Sequence, residues 1–403
     1  MKSAKPLKQR DEDGGAAHRH ARAHEQLHRH DLQAAGGDVI REASRAVLRG
    51  VMKQVGRVPL SRKALHALSV ASRGAGVAVL RARRVVPDTD RGRKHPDRRT
   101  GSAITPNELA KELETAQGTL RFVHLPEAVE LLAKGDRLSQ GLAVLTFDES
   151  FASTAELALP VCRALGVPAT IFVTTGHLDG STTLWDEAVR SCVAKVAPKP
   201  LAVPWIDRVL RTNTPARRDA AVRRLRLSMA SLDEDRLERR LDELFVRSGG
   251  RPPVDPLDRM LTTHEVRALA RDPLITFGAH GHRHLSLANA SLAALEEELS
   301  RPRELLRAEA GASFADVMSF PFGRSPYVDE RAVHAARNAG YRAAFTAEPG
   351  VARPGDHLFR LPRLPIGRSS SGLAAYELQG TFDALDELVL VASGDRERLD
   401  LQG

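Results

Sequence analysis

A chain of 403 residues with 42% hydrophobic content is long enough for one large domain with an appendage, and its 4% aromatic share leaves the core to aliphatic side chains. The formal charge of +9 is uneven: residues 1–100 carry 23 Lys and Arg against 10 Asp and Glu, whereas residues 101–403 carry 37 against 41, so polyanion binding is an expectation only for the N-terminal quarter. The two cysteines, Cys162 and Cys192, sit in apolar stretches without a CxxC pair, which argues against a disulfide framework or a Cys-ligated metal, and no apolar run approaches a membrane span.

The opening MKSAKPLKQRDEDGG has charges but no apolar signal-peptide core, so the chain as written is expected in the cytoplasm. Residues 1–36 form a basic, His-rich tail. His20, His24 and His28 would share one face of a helix and could hold a metal there, but the polar composition reads as a solvated, disordered tail. Residues 37–76 read as a basic helical extension, with Val39, Ile40, Ala43, Val47, Leu48, Val51 and Met52 at helical spacing. It suits either an anionic membrane surface or packing on the following domain; nucleic acid is not an expected partner.

A domain is expected over residues 77–385, followed by a C-terminal tail, 386–403. Val77–Leu80 reads as a strand, and a charged loop runs from Asp88 to Arg99. Thr105-Pro106-Asn107-Glu108 carries the signature of a capped helix start. Leu142–Phe147 is an apolar strand ending in Asp148, Leu157–Leu165 a helix, and Ala169–Thr174 a second buried strand. A helical insertion falls at about 200–255; its densely charged stretch from Ile206 to Phe245 reads as a solvated, self-packed appendage. Helix Thr263–Ala270, strand Leu274–Phe277, helix Leu292–Ala310, strand Val317–Phe320, helix Glu330–Ala339 and strand Ala343–Thr346 follow. Strands without polar alternation, each followed by a helix, indicate an α/β fold with parallel strands and a barrel-like closure, its site at the C-terminal rim.

Two strand ends carry chemistry. Asp148 and Glu149 are adjacent carboxylates that something positive must offset if enclosed. His280, His282 and His284 are three histidines in a five-residue run. Glu149, His280 and His284 could hold a divalent ion with positions left open for water and substrate, and Asp148 beside them could take a proton from that water. The alternation directs His282 away from the other two. No serine nucleophile elbow and no phosphate-binding glycine loop is present.

At these residues the chain resembles the polysaccharide deacetylase family (carbohydrate esterase family 4). LTFDES is similar to the family's TFDDG motif, and HGHRH to its H-(S/T)-x-x-H motif. Gly166–Val173, Thr175–Gly180, Leu184-Trp185-Asp186, Ser319-Phe320-Pro321-Phe322-Gly323, Ala339–Thr346 and Phe359–Arg363 resemble further family segments in the same order. The resemblance covers about residues 77–370 and implies a distorted, incomplete (β/α) barrel. It implies removal of N- or O-acetyl groups from glycans with zinc or another divalent ion, Asp148 as base, and Glu149, His280 and His284 as ligands. Arg363 is the candidate partner of Asp148, and His357 the nearest candidate for the catalytic-acid histidine. Phe320, Pro321, Phe322 and Trp185 are candidates for substrate contact, the aromatics equally for core or loop-sealing positions. Departures are Glu149 for Asp, Ser150 for Gly, Gly281 for Ser or Thr, Phe322 for Tyr, and Ala82-Arg83-Arg84-Val85 where the family has Tyr-His-Arg-Val. They motivate an alternative, a catalytically degenerate member that binds a glycan or partner protein.

Overall fold

The computed structural model describes residues 75–89, 97, 103–179 and 183–366, all within one unit, Leu65–Gly403. The His-rich tail, the basic extension as far as residue 74 and the C-terminal tail lie outside the described residues.

The first strand, β1 (Val77–Ala82), is followed by β2 (Arg84–Val85), β3 (Ala103–Ile104), α1 (Pro106–Gln117), β4 (Arg121–Phe122), α2 (Leu125–Lys134) and β5 (Leu142–Asp148). A π-helical turn, Thr154–Ala158, leads into α3 (Leu159–Leu165), then β6 (Ala169–Val173) and α4 (Trp185–Val196). The insertion contains α5 (Pro215–Met229) and α6 (Glu234–Arg247). Then come α7 (Thr263–Leu269), β7 (Ile275–Ala279), α8 (Leu292–Ala310), β8 (Phe314–Ser319), α9 (Glu330–Asn338), β9 (Ala343–Phe345) and β10 (Leu364–Pro365).

The apolar runs form one parallel sheet because both faces are covered. Its order is β10-β1-β5-β6-β7-β8-β9, with β4 beside the start of β5, and every pairing is parallel. Curled, with helices outside, it is an incomplete (β/α) barrel. Side-chain alternation divides the core in two. Val79, Val144, Phe172, Val317 and Phe345 pack in one cluster with Leu125, Val129 and Leu132 of α2. Leu80, Leu145, Phe147, Ile171 and Phe277 pack in another with Leu109 and Leu113 of α1 and Leu159 of α3. Gly278 is fixed by the first cluster: a Cβ there would lie 2.5 Å from the Phe172 ring.

Local signals place the helices. Thr105 and Glu108 close a capping box on α1, with Pro106 in the first turn. Thr262 and Glu265 do the same for α7, and Ser291 caps α8 through Ala294 N. The insertion is helical, as expected, over α5 and α6, but not over the first residues of the charged stretch. Residues 206–214 are not helical; Thr214 caps α5 and Pro215 opens it, and Asp233 starts α6 afresh. Among the described residues no helix is long and apolar enough to cross a membrane.

Candidate active site

The site is built by the C-terminal ends of β5, β7 and β8. Register sets Asp148 beside Phe172, and Val173 beside Ala279, the residue before His280. The face of β5 that carries Val144 inside therefore carries Asp148 at the rim. Immediately after Asp148 the chain turns sharply: Glu149 (φ 71°) and Ser150 (φ 40°) are both left-handed, a conformation that costs non-glycine residues about 1–3 kcal/mol each. The turn is clasped from outside, because Leu261 N donates to Ser150 O at 2.9 Å and Ala152 N to Arg259 O at 2.8 Å.

Glu149, His280 and His284 come together, all buried, with ligand-capable atoms within 4.8 Å of one another. His280 Nδ1 lies 2.9 Å from Ser319 O, which can only accept, so Nδ1 carries the proton and Nε2 is left for an ion. Ser319 Oγ, 2.6 Å from the same nitrogen, donates to Asp148 Oδ1 at 3.0 Å. His284 (φ 61°) is held by Trp185, whose Nε1 donates to its carbonyl at 3.0 Å. Burial, ahead of neighbouring charges, pushes both imidazoles down to about 4, so they are neutral at neutral pH, the form that binds metal. Glu149 Oε2 is buried with no partner. That orphaned oxygen beside two neutral imidazoles fits a divalent cation, which would supply the missing contact. Burial raises the Glu149 carboxyl, with Arg83 opposing.

Asp148 is 2% exposed and receives two bonds from Arg363, Nη1 to Oδ1 at 2.7 Å and Nη2 to Oδ2 at 2.9 Å. Burial would raise its pKa, but Arg363, with His280 and Arg81, holds it well below the usual carboxylate range. It stays ionised, as a general base must. Phe320 and Phe322 line the same cavity of about 410 Å³ as Asp148, Glu149 and the two histidines. Phe322 is half-buried, with its ring 4.8 Å from that of His284. Pro321 is buried behind the histidine loop, and Trp185 is buried with its ring 6.0 Å from Phe322. His282 turns away, its Nδ1 3.0 Å from Thr175 Oγ1.

His357 is not brought to the site. It is exposed, and its Nδ1 accepts from Phe359 N at 3.2 Å in the loop between β9 and β10. The insertion also differs from a solvated appendage: Val222, Arg223, Arg226 and Leu227 of α5 line the cavity. Arg226 ties that helix to α4, with Nε and Nη2 2.9 and 2.8 Å from Asp186 O.

Sequence reasoning passed over Arg83. Its Nε donates to Glu149 Oε1 at 2.7 Å, and its Nη2 reaches Asp186 and Glu187 at 3.0 and 2.7 Å. Arg84, fully buried over the Phe151 ring, pairs with Asp97, Glu187 and Asp258. The only available signal was the pair of arginines directly after an apolar strand, opposite an acidic doublet that needed a counter-charge.

Residues 246–344 match the family model described as polysaccharide deacetylase. That match covers about a quarter of the chain and marks a likeness to the family over those residues. The deacetylase match includes His280 and His284 and begins after Asp148 and Glu149. The chain is similar to the Streptococcus pyogenes deacetylase PplD in complex with acetate, at 14% identity over 74% of this chain and 95% of that one, with a TM-score of 0.48. It is similar to IcaB from Ammonifex degensii at 18% identity, over 77% and 98%, with a TM-score of 0.48. It is also similar to the BpsB deacetylase domain from Bordetella bronchiseptica at 17% identity, over 72% and 96%, with a TM-score of 0.44. No curated protein matches the chain.

Proposed function

We propose that this chain is a polysaccharide deacetylase, a divalent-metal-dependent hydrolase that removes acetyl groups from an acetylated glycan or amino sugar. The observation that carries the reading is the convergence of Glu149, His280 and His284 within 4.8 Å beside an ionised, anchored Asp148. When bound by these three residues, a divalent ion, with zinc matching the two-imidazole, one-carboxylate donor set, would polarise the acetyl carbonyl and acidify a water.

The chain's own groups do the rest. Asp148 takes the proton from the attacking water, and Arg363 with Ser319 Oγ fixes the direction in which its oxygens point. Ser319 O holds the His280 tautomer. Phe322 forms the apolar floor against which a sugar ring rests, with Phe320 buried in the core beneath, and α5 walls one side. The test is acetate release from a panel of acetylated glycans by the wild type, Asp148→Asn and His280→Ala. Release should fall by at least about 100-fold in both variants, and unchanged release from both would end the reading.

One observation favours the alternative of a degenerate, glycan-binding member: Arg83 already neutralises Glu149 at 2.7 Å. Metal analysis of the purified chain separates the two, because a binder alone would hold no divalent ion even after loading.

A further inference from the structure

A buried carboxylate behind the histidine loop has no part in the chemistry above. Glu298 lies in the middle of α8 and is 0% exposed. Its carboxylate faces the backbone of the segment joining His280 to His284. Oε1 accepts from Arg283 N at 2.7 Å, and Oε2 accepts from His282 N at 3.0 Å and from Leu285 N at 3.5 Å. The nearest cationic atom, Arg283 Nε, is 3.7 Å away. A fully buried glutamate with so loose a counter-charge is costly unless N–H donors replace its water. Here they come from one short loop.

Gly281 completes the arrangement. It is left-handed at φ 75°, and a Cβ on it would lie 2.6 Å from Glu298 Oε2. The carboxylate therefore needs a glycine at this position, which accounts for Gly281 inside the histidine motif. The loop has no strand partner for these amides, and His284 itself is left-handed at φ 61°. Its path must be imposed from outside.

We infer that Glu298 is a positioning residue for metal binding: its carboxylate gathers the loop amides and so sets His284 opposite His280, with ring centroids 5.1 Å apart. The inference rests on the metal-site reading above, and it goes beyond it in assigning the geometry of the ligand pair to a helix that touches neither imidazole. A glutamine at 298 keeps the shape but turns one acceptor into a donor facing other donors.

The experiment uses the full chain and zinc alone as probe, with affinity read by chelator competition and fold checked by far-UV circular dichroism. Glu298→Gln should weaken zinc binding by about 10- to 100-fold, the range for partners that orient ligands from behind. Glu297→Gln is the control, since Glu297 bonds only the Arg283 side chain, at 2.8 Å, and it should bind zinc like the wild type. Hydrogen exchange of the peptide spanning residues 281–285 should be slow in the wild type and fast in Glu298→Gln. A folded Glu298→Gln protein with wild-type zinc affinity would overturn the inference, as would fast exchange of those amides in the wild type, a readout that does not need the variant to fold. If the wild type itself binds no zinc, the metal reading fails, and slow exchange lost on substitution would still establish that Glu298 holds the loop.

Discussion

Replacing Arg363 with methionine isolates the electrostatic support of Asp148. The guanidinium donates to both carboxylate oxygens at 2.7 and 2.9 Å and to Thr346 O at 2.8 Å, and both partners are nearly inaccessible. Methionine fills much of the same volume but leaves a buried carboxylate without its bidentate partner, with Ser319 Oγ, Arg81 Nη1 at 3.5 Å and the His280 ring beside it. Breaking one side of a buried pair costs about 3–5 kcal/mol, and that is the loss expected in urea unfolding at pH 7. The pH dependence follows from the sign of the shift. In the wild type the folded-state pKa of Asp148 lies below its unfolded value, so its contribution is present above about pH 4 and fades as pH falls further. Without Arg363, burial dominates and the folded value rises above the unfolded one, so the contribution is then lost as pH rises. The deficit of Arg363→Met relative to wild type should therefore shrink between pH 7 and pH 4. Adding Asp148→Asn should recover at least about 2 kcal/mol at pH 7, a coupling readable in a double-mutant cycle. A single-variant loss below about 1 kcal/mol, or purely additive losses, would refute the reasoning.

Gly278→Ala should cost about 1–3 kcal/mol by overpacking against the Phe172 ring, and Phe172→Leu in the same chain should return part of it in denaturant midpoints. Arg226→Ala releases the bonds that dock α5 on α4; KM for a glycan substrate should rise several-fold while kcat falls less, and equal effects on both would contradict a purely wall-forming role for α5. Burial pushes the Cys162 thiol up to about 12 and raises that of Cys192, so both should react with a thiol reagent at pH 8 only after unfolding.

What could be read in the sequence was what local spacing encodes. The apolar run from Leu142 to Asp148 could be read because a strand buried on both faces needs no alternation. The span of α8, Leu292–Ala310, followed its apolar periodicity, and the cap that starts it is Ser291. The acidic doublet and the histidine triplet could be paired because each follows such a strand. Helix α4 was missed because Asp186, Glu187 and Arg190 break its apolar stripe, and they are buried through partners that include Arg83 and Arg84, far away in sequence. Glu298 was hidden for the same reason: within a run of glutamates it looks like solvated surface, and only the fold turns it toward backbone amides. Charges that are buried by long-range pairing leave no periodic trace.

The docking of α5 also couples the insertion to the acidic strand end. Besides the Arg226 bonds to Asp186 O, α5 buries Ala221, Leu225 and Met229 in the larger core cluster, and Arg226 also pairs with Glu187, a partner of the Arg83 that holds Glu149. The wall of the cavity and the acidic strand end are thus mechanically linked, although they lie in different stretches of the chain.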